Sequence, residues 1–268
     1  NEQLFQNLTI ESEGTVSFAD NGLTTFSVGG YLSINSGVFD ITGKMVNVYN
    51  GWLNVAGPDA LIEQNSTVVF KGFGNKYCST ENFDNIEINA ASGATLQILD
   101  NNFVSCNSYK HTFGGGIYTS GSGGGFTAYD LADPGIYGYF SAENGAVINL
   151  YQDDASYIDL NGYLNIVGGE IYVHGGLGDC YWPYQGNASL TMYDGILDFT
   201  DAGIYLYDSP YYTLSTAIYG GTIRTAGNFL GYRDDFNPTG GTVELYGTTD
   251  VQCILNGGSN FFNLNNIL

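Results

Sequence analysis

The side chains of this chain that could do chemistry are mostly carboxylates: 268 residues include 27 acidic residues and 2 histidines. Asp153 and Asp154 are adjacent, and Asp159 follows closely. Two carboxylates that face each other at roughly 5–10 Å can hydrolyse a glycosidic bond. Carboxylates also supply the oxygen ligands that Ca²⁺ prefers. Two interpretations of this acidic segment therefore stay open, a glycosidase acid pair and a calcium site at Asp153 and Asp154.

Other catalytic or nucleic-acid-binding chemistry is not indicated. His111 and His174 are too few for a three-histidine metal site, and no Gly-x-Ser-x-Gly motif accompanies them. The 6 cations are scattered, whereas a polysaccharide lyase or a nucleic-acid-binding protein needs them clustered. The net charge of −21 repels phosphate and anionic lipid, and no apolar run approaches the roughly 18 residues that span a bilayer. We expect a non-enzymatic protein with no cofactor other than the calcium considered above, no nucleic-acid partner and no membrane insertion.

The four cysteines are too far apart in the sequence for a zinc ribbon or a Cys-x-x-Cys redox pair. One interpretation is that they are buried, unpaired thiols, because the cores of β folds use cysteine as a small apolar residue. The other is a disulfide in an oxidising compartment, with Cys106–Cys180 as the preferred pair because both lie in irregular insertions.

Aromatic side chains are the strongest candidates for a contact surface. The chain has 22 tyrosines, and many of them lie in its last third. Rings with polar tips stack on sugars or form protein interfaces. Two segments that interrupt the strand pattern carry several aromatics each, and loops on a rigid scaffold are where binding usually occurs. We therefore predict a carbohydrate-binding or partner-binding surface at Tyr181, Trp182, Tyr184, Tyr211 and Tyr212.

The elements that position these residues are predicted to be short strands. From Gly14 to Gly72, apolar residues alternate with polar ones in strand-sized pieces that are separated by Gly, Asn or Asp, and no segment has helical periodicity. Two or three such pieces make a unit of roughly 20–30 residues, which is the period of solenoids. The sequence thus predicts an all-β, right-handed parallel β-helix. A β-sandwich is the rival, since several Asn-Gly pairs are typical of hairpin turns.

One motif occurs near both ends of the chain and once inside it, as Phe5-x-Asn7-Leu8, Phe83-x-Asn85-Ile86 and Phe261-x-Asn263-Leu264. Related Thr-Val segments precede the second and third copies. We interpret residues 1–268 as one solenoid domain with internal cassettes at about 5–82 and 83–260. Neither end shows a capping helix, and an uncapped strand edge pairs with further strands. The first and third copies are therefore predicted to be assembly ends.

These motifs, together with Gly-Tyr-Leu segments that begin at Gly30 and Gly162, resemble large repetitive bacterial cell-surface proteins. Such proteins are predicted to form pectate-lyase-like β-helices and often carry a C-terminal secretion-sorting domain, which is not found in this sequence. The resemblance implies an adhesive or structural exoprotein and brings no catalytic residues.

The combined prediction is an extracellular or cell-surface structural or adhesive module that assembles end to end with copies of itself or with neighbouring repeats. The chain begins with Asn and shows no leader, which fits an exported protein or an excised section. A glycosidase-type β-helix enzyme and a carbohydrate-binding module are the alternatives, and glycans are the ligands that both would bind.

Overall fold

A computed structural model describes the greater part of the chain. The described residues are 2–18, 22–91, 94–112, 115–132, 135–136, 138–152, 158–175, 180–182, 187–207, 210–233, 236–247, 252–255, 261 and 263–267. Within them no α-helix is present, and a single 3₁₀ turn covers Pro58–Ala60. No described helix is both long and apolar enough to cross a bilayer.

Short parallel strands account for most of these residues. Up to residue 128 they are β1 (Glu2–Phe5), β2 (Leu8–Ser17), β3 (Thr25–Val28), β4 (Tyr31–Asp40), β5 (Met45–Val48), β6 (Gly51–Asn54), β7 (Leu61–Ile62), β8 (Thr67–Gly72), β9 (Lys76–Cys78), β10 (Glu81–Ala90), β11 (Thr95–Ile98), β12 (Phe103–Thr112), β13 (Gly116–Ser120) and β14 (Gly125–Ala128). Beyond it they are β15 (Gly135–Ile136), β16 (Tyr139–Glu143), β17 (Val147–Tyr151), β18 (Ile158–Leu160), β19 (Tyr163–His174), β20 (Cys180–Trp182), β21 (Ala188–Phe199), β22 (Ile204–Leu206), β23 (Leu214–Ile218), β24 (Thr222–Thr225), β25 (Phe229–Gly231), β26 (Thr242–Leu245), β27 (Cys253–Leu255) and β28 (Leu264–Asn266).

The strands stack as a parallel β-solenoid of about 10 turns, which confirms the predicted fold class. Each turn contributes to three faces, and long strands such as β10 bend between two of them. Face 1 comprises β1, β3, β5, β8, the second halves of β10 and β12, and then β15, β18, β20, β22, β25 and β27. Face 2 comprises the first halves of β2 and β4, then β6, β9, β11, β13, β16, the first halves of β19 and β21, and β23. Face 3 comprises the second halves of β2 and β4, β7, the first halves of β10 and β12, β14, β17, the second halves of β19 and β21, β24, β26 and β28.

The core lies inside the three faces, because alternate side chains of every strand point inward. One inward column on face 1 runs through Phe26, Val46, Val68, Ile86 and Tyr109, and each member is at most 2% exposed. Burying a side chain of this kind contributes roughly 1.5–3 kcal/mol. The apolar alternation in the sequence is thus the pattern that closes each turn around the core.

The recurring Phe-x-Asn motif marks corners of the solenoid. In its first copy the Asn7 Oδ1 atom accepts a hydrogen bond from the Tyr31 backbone N–H at 2.9 Å. In the other copies the asparagine donates to a backbone carbonyl, from Asn85 to Ser66 at 2.6 Å and from Asn263 to Gly241 at 3.2 Å. The three copies lie at three different corners, since they lead into faces 2, 1 and 3 respectively. Strand pairing also continues through β10, which pairs with both β8 and β12.

No disulfide joins the cysteines, so the preferred Cys106–Cys180 pair is corrected. All four thiols are free; Cys78, Cys106 and Cys180 are buried and Cys253 is exposed. Cys106 lies in β12 and Cys180 in β20, several turns further along the solenoid. Each turn adds about 4.8 Å along the axis. Their separation exceeds the reach of a disulfide. Burial raises the pKa of the Cys106 thiol, which is unreactive for that reason.

Candidate functional site

Outward side chains on face 3 form a polar row that runs along the solenoid axis. In-register parallel pairing places its members one above another on consecutive turns. We call it the face 3 row, and its residues are Asn149, Tyr172, Asp198, Arg224, Glu244 and Asn265.

Arg224 is the centre of this row. Its Nε atom donates to Glu244 Oε1 at 2.7 Å, and its Nη1 atom donates to Asp198 Oδ2 at 3.1 Å. The guanidinium carbon lies 4.6 Å from the ring centre of Tyr246, whose hydroxyl donates to Asp198 Oδ1 at 2.6 Å. The hydrogen bond to Glu244 raises the pKa of Arg224. Burial, and then the bond to Asp198, raise the pKa of the Tyr246 hydroxyl. The cluster therefore holds one cation, two carboxylates and a protonated phenol in a fixed arrangement.

A second phenol–carboxylate contact lies one turn before this cluster. The Tyr172 hydroxyl donates to Glu170 Oε2 at 2.6 Å. Burial, followed by this hydrogen bond, raises the pKa of Tyr172 to about 12. The phenol stays protonated over the physiological pH range and acts only as a hydrogen-bond donor to the carboxylate.

Aromatic rings stack beside the row at the corner between faces 3 and 1. The rings of Tyr151 and His174 are parallel, with 3.9 Å between their centroids and an interplanar angle of 5°. Tyr129 stacks on the other side of Tyr151 at 5.9 Å. The rings of Tyr151 and His174 therefore cover each other's facing sides, whereas Tyr129 is 53% exposed.

His174 also lies between a hydroxyl and an amide. Its Nδ1 atom is 2.9 Å from Thr200 Oγ1, and its Nε2 atom is 3.4 Å from Asn149 Oδ1. Burial lowers the pKa of His174, so the ring is neutral at pH 7. The order hydroxyl, imidazole, amide is that of an activated nucleophile. The Thr200 hydroxyl, however, also donates to Asp201 Oδ2 at 3.0 Å, so a carboxylate competes with the imidazole for its proton.

The chemistry of the face 3 row follows from these contacts. Asp198 and Glu244 share the guanidinium of Arg224, so neither carboxylate is presented to a ligand as a free acid or base. Across the described part of the chain, no group of three His, Cys, Asp or Glu residues could hold a metal ion. The row is suited to fixing the spacing of its turns and to polar contact with a partner.

Comparisons with family models, curated proteins and solved structures found no match to this chain.

The predicted contact residues Tyr181 and Trp182 point to opposite sides of β20. Tyr181 lies on the outside of face 1, where its ring is 5.1 Å from Tyr205, and Tyr205 is 5.1 Å from Tyr232. Trp182 is 1% exposed and packs in the core. Strand alternation makes this division inevitable for adjacent residues, so Trp182 is removed from the proposed surface.

The other predicted site residues are distributed as follows. Tyr211 is 84% exposed, and Tyr212 is half-buried with its carbonyl bound to Arg233 Nη1 at 3.2 Å. Three further candidates, Tyr184, Asp153 and Asp154, lie outside the described residues. Asp159 belongs to β18, but its side chain is not described. The acid-pair and calcium interpretations of that segment stay predictions.

The Arg224 cluster escaped the sequence analysis because the turns differ in length. Arg224 lies 26 residues after Asp198 and 20 residues before Glu244. With a regular period, the sequence spacing would have shown that the three residues lie in one column. Because the turns differ in length, the spacing does not show it. One indication of this cluster was present in the sequence. With 6 cations and 27 acidic residues, each Lys or Arg is a candidate ion-pair partner for carboxylates.

We expect Arg224→Met to lower the free energy of unfolding by about 2 kcal/mol, because it leaves the Asp198 carboxylate without its cation. The Asp198 side chain is 4% exposed, whereas that of Arg224 is 32% exposed, so solvent screens part of the loss. The check is urea unfolding, with Lys110→Met as a control that removes the same charge from an exposed site. Equal losses in both variants would show that the contacts of Arg224 add nothing beyond its charge.

Proposed function

We propose that this chain is a non-enzymatic structural or adhesive module of an extracellular surface, and that its terminal turns stack on turns of further copies. One observation carries the proposal. Three inward apolar side chains of the first turn, Phe5, Leu8 and Val16, pack against the core yet stay half-buried, while a fourth, Ile10, is 4% exposed. Their pairing partners on the second turn are 0% or 1% exposed: Val28, Leu32 and Phe39. A further parallel turn would complete the burial of the first.

The other end has matching chemistry. Leu264 pairs with Val243 on one side and is 50% exposed. Leu255 and Phe261 pack against the core and are half-buried, with the Phe261 ring 5.0 Å from that of Phe229. Apolar side chains and strand edges at both ends suit a head-to-tail contact, and a heterologous contact of this kind produces open filaments.

The outer surface supports a structural or adhesive role over catalysis. Carboxylates of the face 3 row are bound by Arg224, and the rings of Tyr151 and His174 beside them stack on each other. The resemblance to repetitive bacterial surface proteins supports the extracellular setting. Glycan binding is a second candidate, favoured by the Tyr181, Tyr205 and Tyr232 ladder on the outside of face 1.

A charge placed at a half-buried inward position of the first turn tests the stacking. We expect Val16→Lys to abolish concentration-dependent association, because the ammonium group would be buried against the next copy. Thr15→Lys is the matched control, since it adds the same charge to the same strand at an exposed position. Sedimentation velocity at about 0.15 M salt, where charges are screened beyond roughly 8 Å, measures association of the wild type and both variants.

Electron microscopy of the concentrated wild-type chain provides the second measurement, and filaments one solenoid wide are expected. A wild-type chain that stays monomeric at every concentration contradicts the proposal. So does association that Val16→Lys and Thr15→Lys weaken equally, because the contact would then respond to charge alone.

A further inference from the structure

Two exposed tyrosines on successive turns stand together at the corner between faces 2 and 3. Tyr193 lies in β21, and Tyr219 directly follows β23. Their rings stack with 4.9 Å between centroids and an interplanar angle of 22°. Tyr193 is 56% exposed and Tyr219 is 55% exposed. The pair is thus both in ring contact and open to reagents in solution.

The backbone fixes this arrangement. Met192 pairs in register with Ile218, and the Tyr219 N–H donates to the Met192 carbonyl at 2.8 Å. The next residue, Gly220, has no side chain, and a Cβ atom there would overlap the carbonyl oxygen of Tyr193. The two turns therefore approach closely at this corner and keep the rings in contact without a ligand.

We propose that Tyr193 and Tyr219 form a site of oxidative cross-linking, at which a peroxide-driven one-electron oxidant joins the two rings as dityrosine. Each phenol loses one electron and one proton to become a phenoxyl radical. The radicals couple through one carbon ortho to each hydroxyl, and the hydrogens of those carbons move to the oxygens and restore both phenols. One hydrogen peroxide accepts the two electrons and two protons and becomes two waters.

The contacts of the other aromatic groups favour this pair. Tyr151 stacks on His174, which is not a phenol, and lies further from Tyr129, at 5.9 Å. The phenols of Tyr172 and Tyr246 donate to carboxylates. The ladder of Tyr181, Tyr205 and Tyr232 is half-buried. Tyr193 and Tyr219 combine the shortest tyrosine–tyrosine centroid distance among the described rings with exposure of both members.

The cross-link would fasten two neighbouring turns covalently within one chain. It would close the segment between the two tyrosines into a loop and so restrict the unfolded state. In a structural surface protein, the cross-link would increase the stability of the solenoid after the chain has folded. It is independent of stacking at the chain ends.

The test is oxidation of the dilute, folded chain by horseradish peroxidase and hydrogen peroxide. Dityrosine is followed by its fluorescence, and the linked peptides are identified by mass spectrometry as a loss of two hydrogens. We expect the Tyr193–Tyr219 link to be the main intramolecular product and to be absent in Tyr193→Phe and Tyr219→Phe. Tyr163→Phe is the matched control, because Tyr163 is 51% exposed and has no ring contact within the described residues.

Urea unfolding of the oxidised monomer gives an independent readout, and its midpoint is expected to rise in the wild type and Tyr163→Phe but not in Tyr193→Phe. The proposal is overturned if the mapped link joins other tyrosines. It is also overturned if Tyr193→Phe yields as much dityrosine as the wild type. Both phenylalanine variants keep the ring stack, so loss of the product would report loss of the phenol rather than of the fold.

Discussion

Replacing Glu81 by Gln is expected to abolish the fall in stability of roughly 3 kcal/mol that we expect for the wild-type chain as the pH rises from about 4.5 to about 7. Glu81 is 0% exposed inside the solenoid. Its Oε2 atom accepts hydrogen bonds from Trp52 Nε1 at 2.9 Å and from Asn54 Nδ2 at 2.8 Å. Burial raises the pKa of Glu81 to about 7 although these bonds favour the charged form. Desolvation is thus the dominant effect on this carboxyl.

The direction of the effect follows from proton binding in the two states. Below pH 4.5 Glu81 is protonated in both the folded and the unfolded chain, and its contribution to stability is fully present. As pH rises towards 7, the unfolded chain loses the proton while the folded chain still holds it, so stability falls. Above the folded-state pKa both states are ionised and the loss is complete. The glutamine side chain of Glu81→Gln does not titrate and keeps one oxygen for Trp52 and Asn54, so the variant is expected to be the more stable protein above pH 7.

Urea unfolding of the wild type and Glu81→Gln across this pH range measures the difference. Glu87→Gln is the matched control, because Glu87 is a half-buried carboxylate on the same strand, β10. The Cys78 thiol and Glu63 also lie within electrostatic reach of Glu81, so Cys78→Ala in both backgrounds removes the first of these neighbours. Parallel curves for the wild type and Glu81→Gln would contradict the assignment.

The fold could be predicted from the sequence because one physical signal repeats in every turn. Alternating apolar pairs such as Val46 and Val48 predict strands with one buried side, and the structure leaves both residues 0% exposed. The absence of helical periodicity and the spacing of the glycines then favour stacked turns over a sandwich. These signals are local, so they survive differences in length between turns.

The candidate site could not be predicted in the same way, because it depends on which residues of different turns align. Paired residues on neighbouring turns lie 18 to 27 positions apart, so no fixed period brings Asp198, Arg224 and Glu244 together. The charge of a residue also fails to predict whether its side chain is exposed. Lys76 is 0% exposed, and its ammonium group donates to the carbonyls of Phe73, at 2.8 Å, and of Gly74. A lysine that caps the carbonyls of a corner is indistinguishable in the sequence from one at the surface.

Neighbouring turns approach closely at their corners, and Gly195→Ala is expected to show this by lowering the free energy of unfolding by about 4 kcal/mol. Gly195 has a φ of +99°, which L side chains rarely adopt. A Cβ atom there would overlap the carbonyl oxygen of Gly169 on the preceding turn and lie 3.0 Å from Ile166 Cγ2. The substitution thus combines backbone strain with a clash against a neighbouring backbone that has little room to move.

Alanine substitutions at two further glycines distinguish the cost of backbone strain from the cost of the clash. Gly168 has a φ of +70° but open space around its Cβ position, so Gly168→Ala reports backbone strain alone, about 1–2 kcal/mol. Gly14 has open space and no positive φ, so Gly14→Ala should change stability by less than about 1 kcal/mol, in the stabilising direction. Urea unfolding of the three variants then gives the cost of forcing two turns apart as the difference between Gly195→Ala and Gly168→Ala. If that difference is zero, the turns can separate freely at this corner, and close backbone packing there does not set the spacing that aligns Tyr172 with Asp198 across the same two strands, β19 and β21.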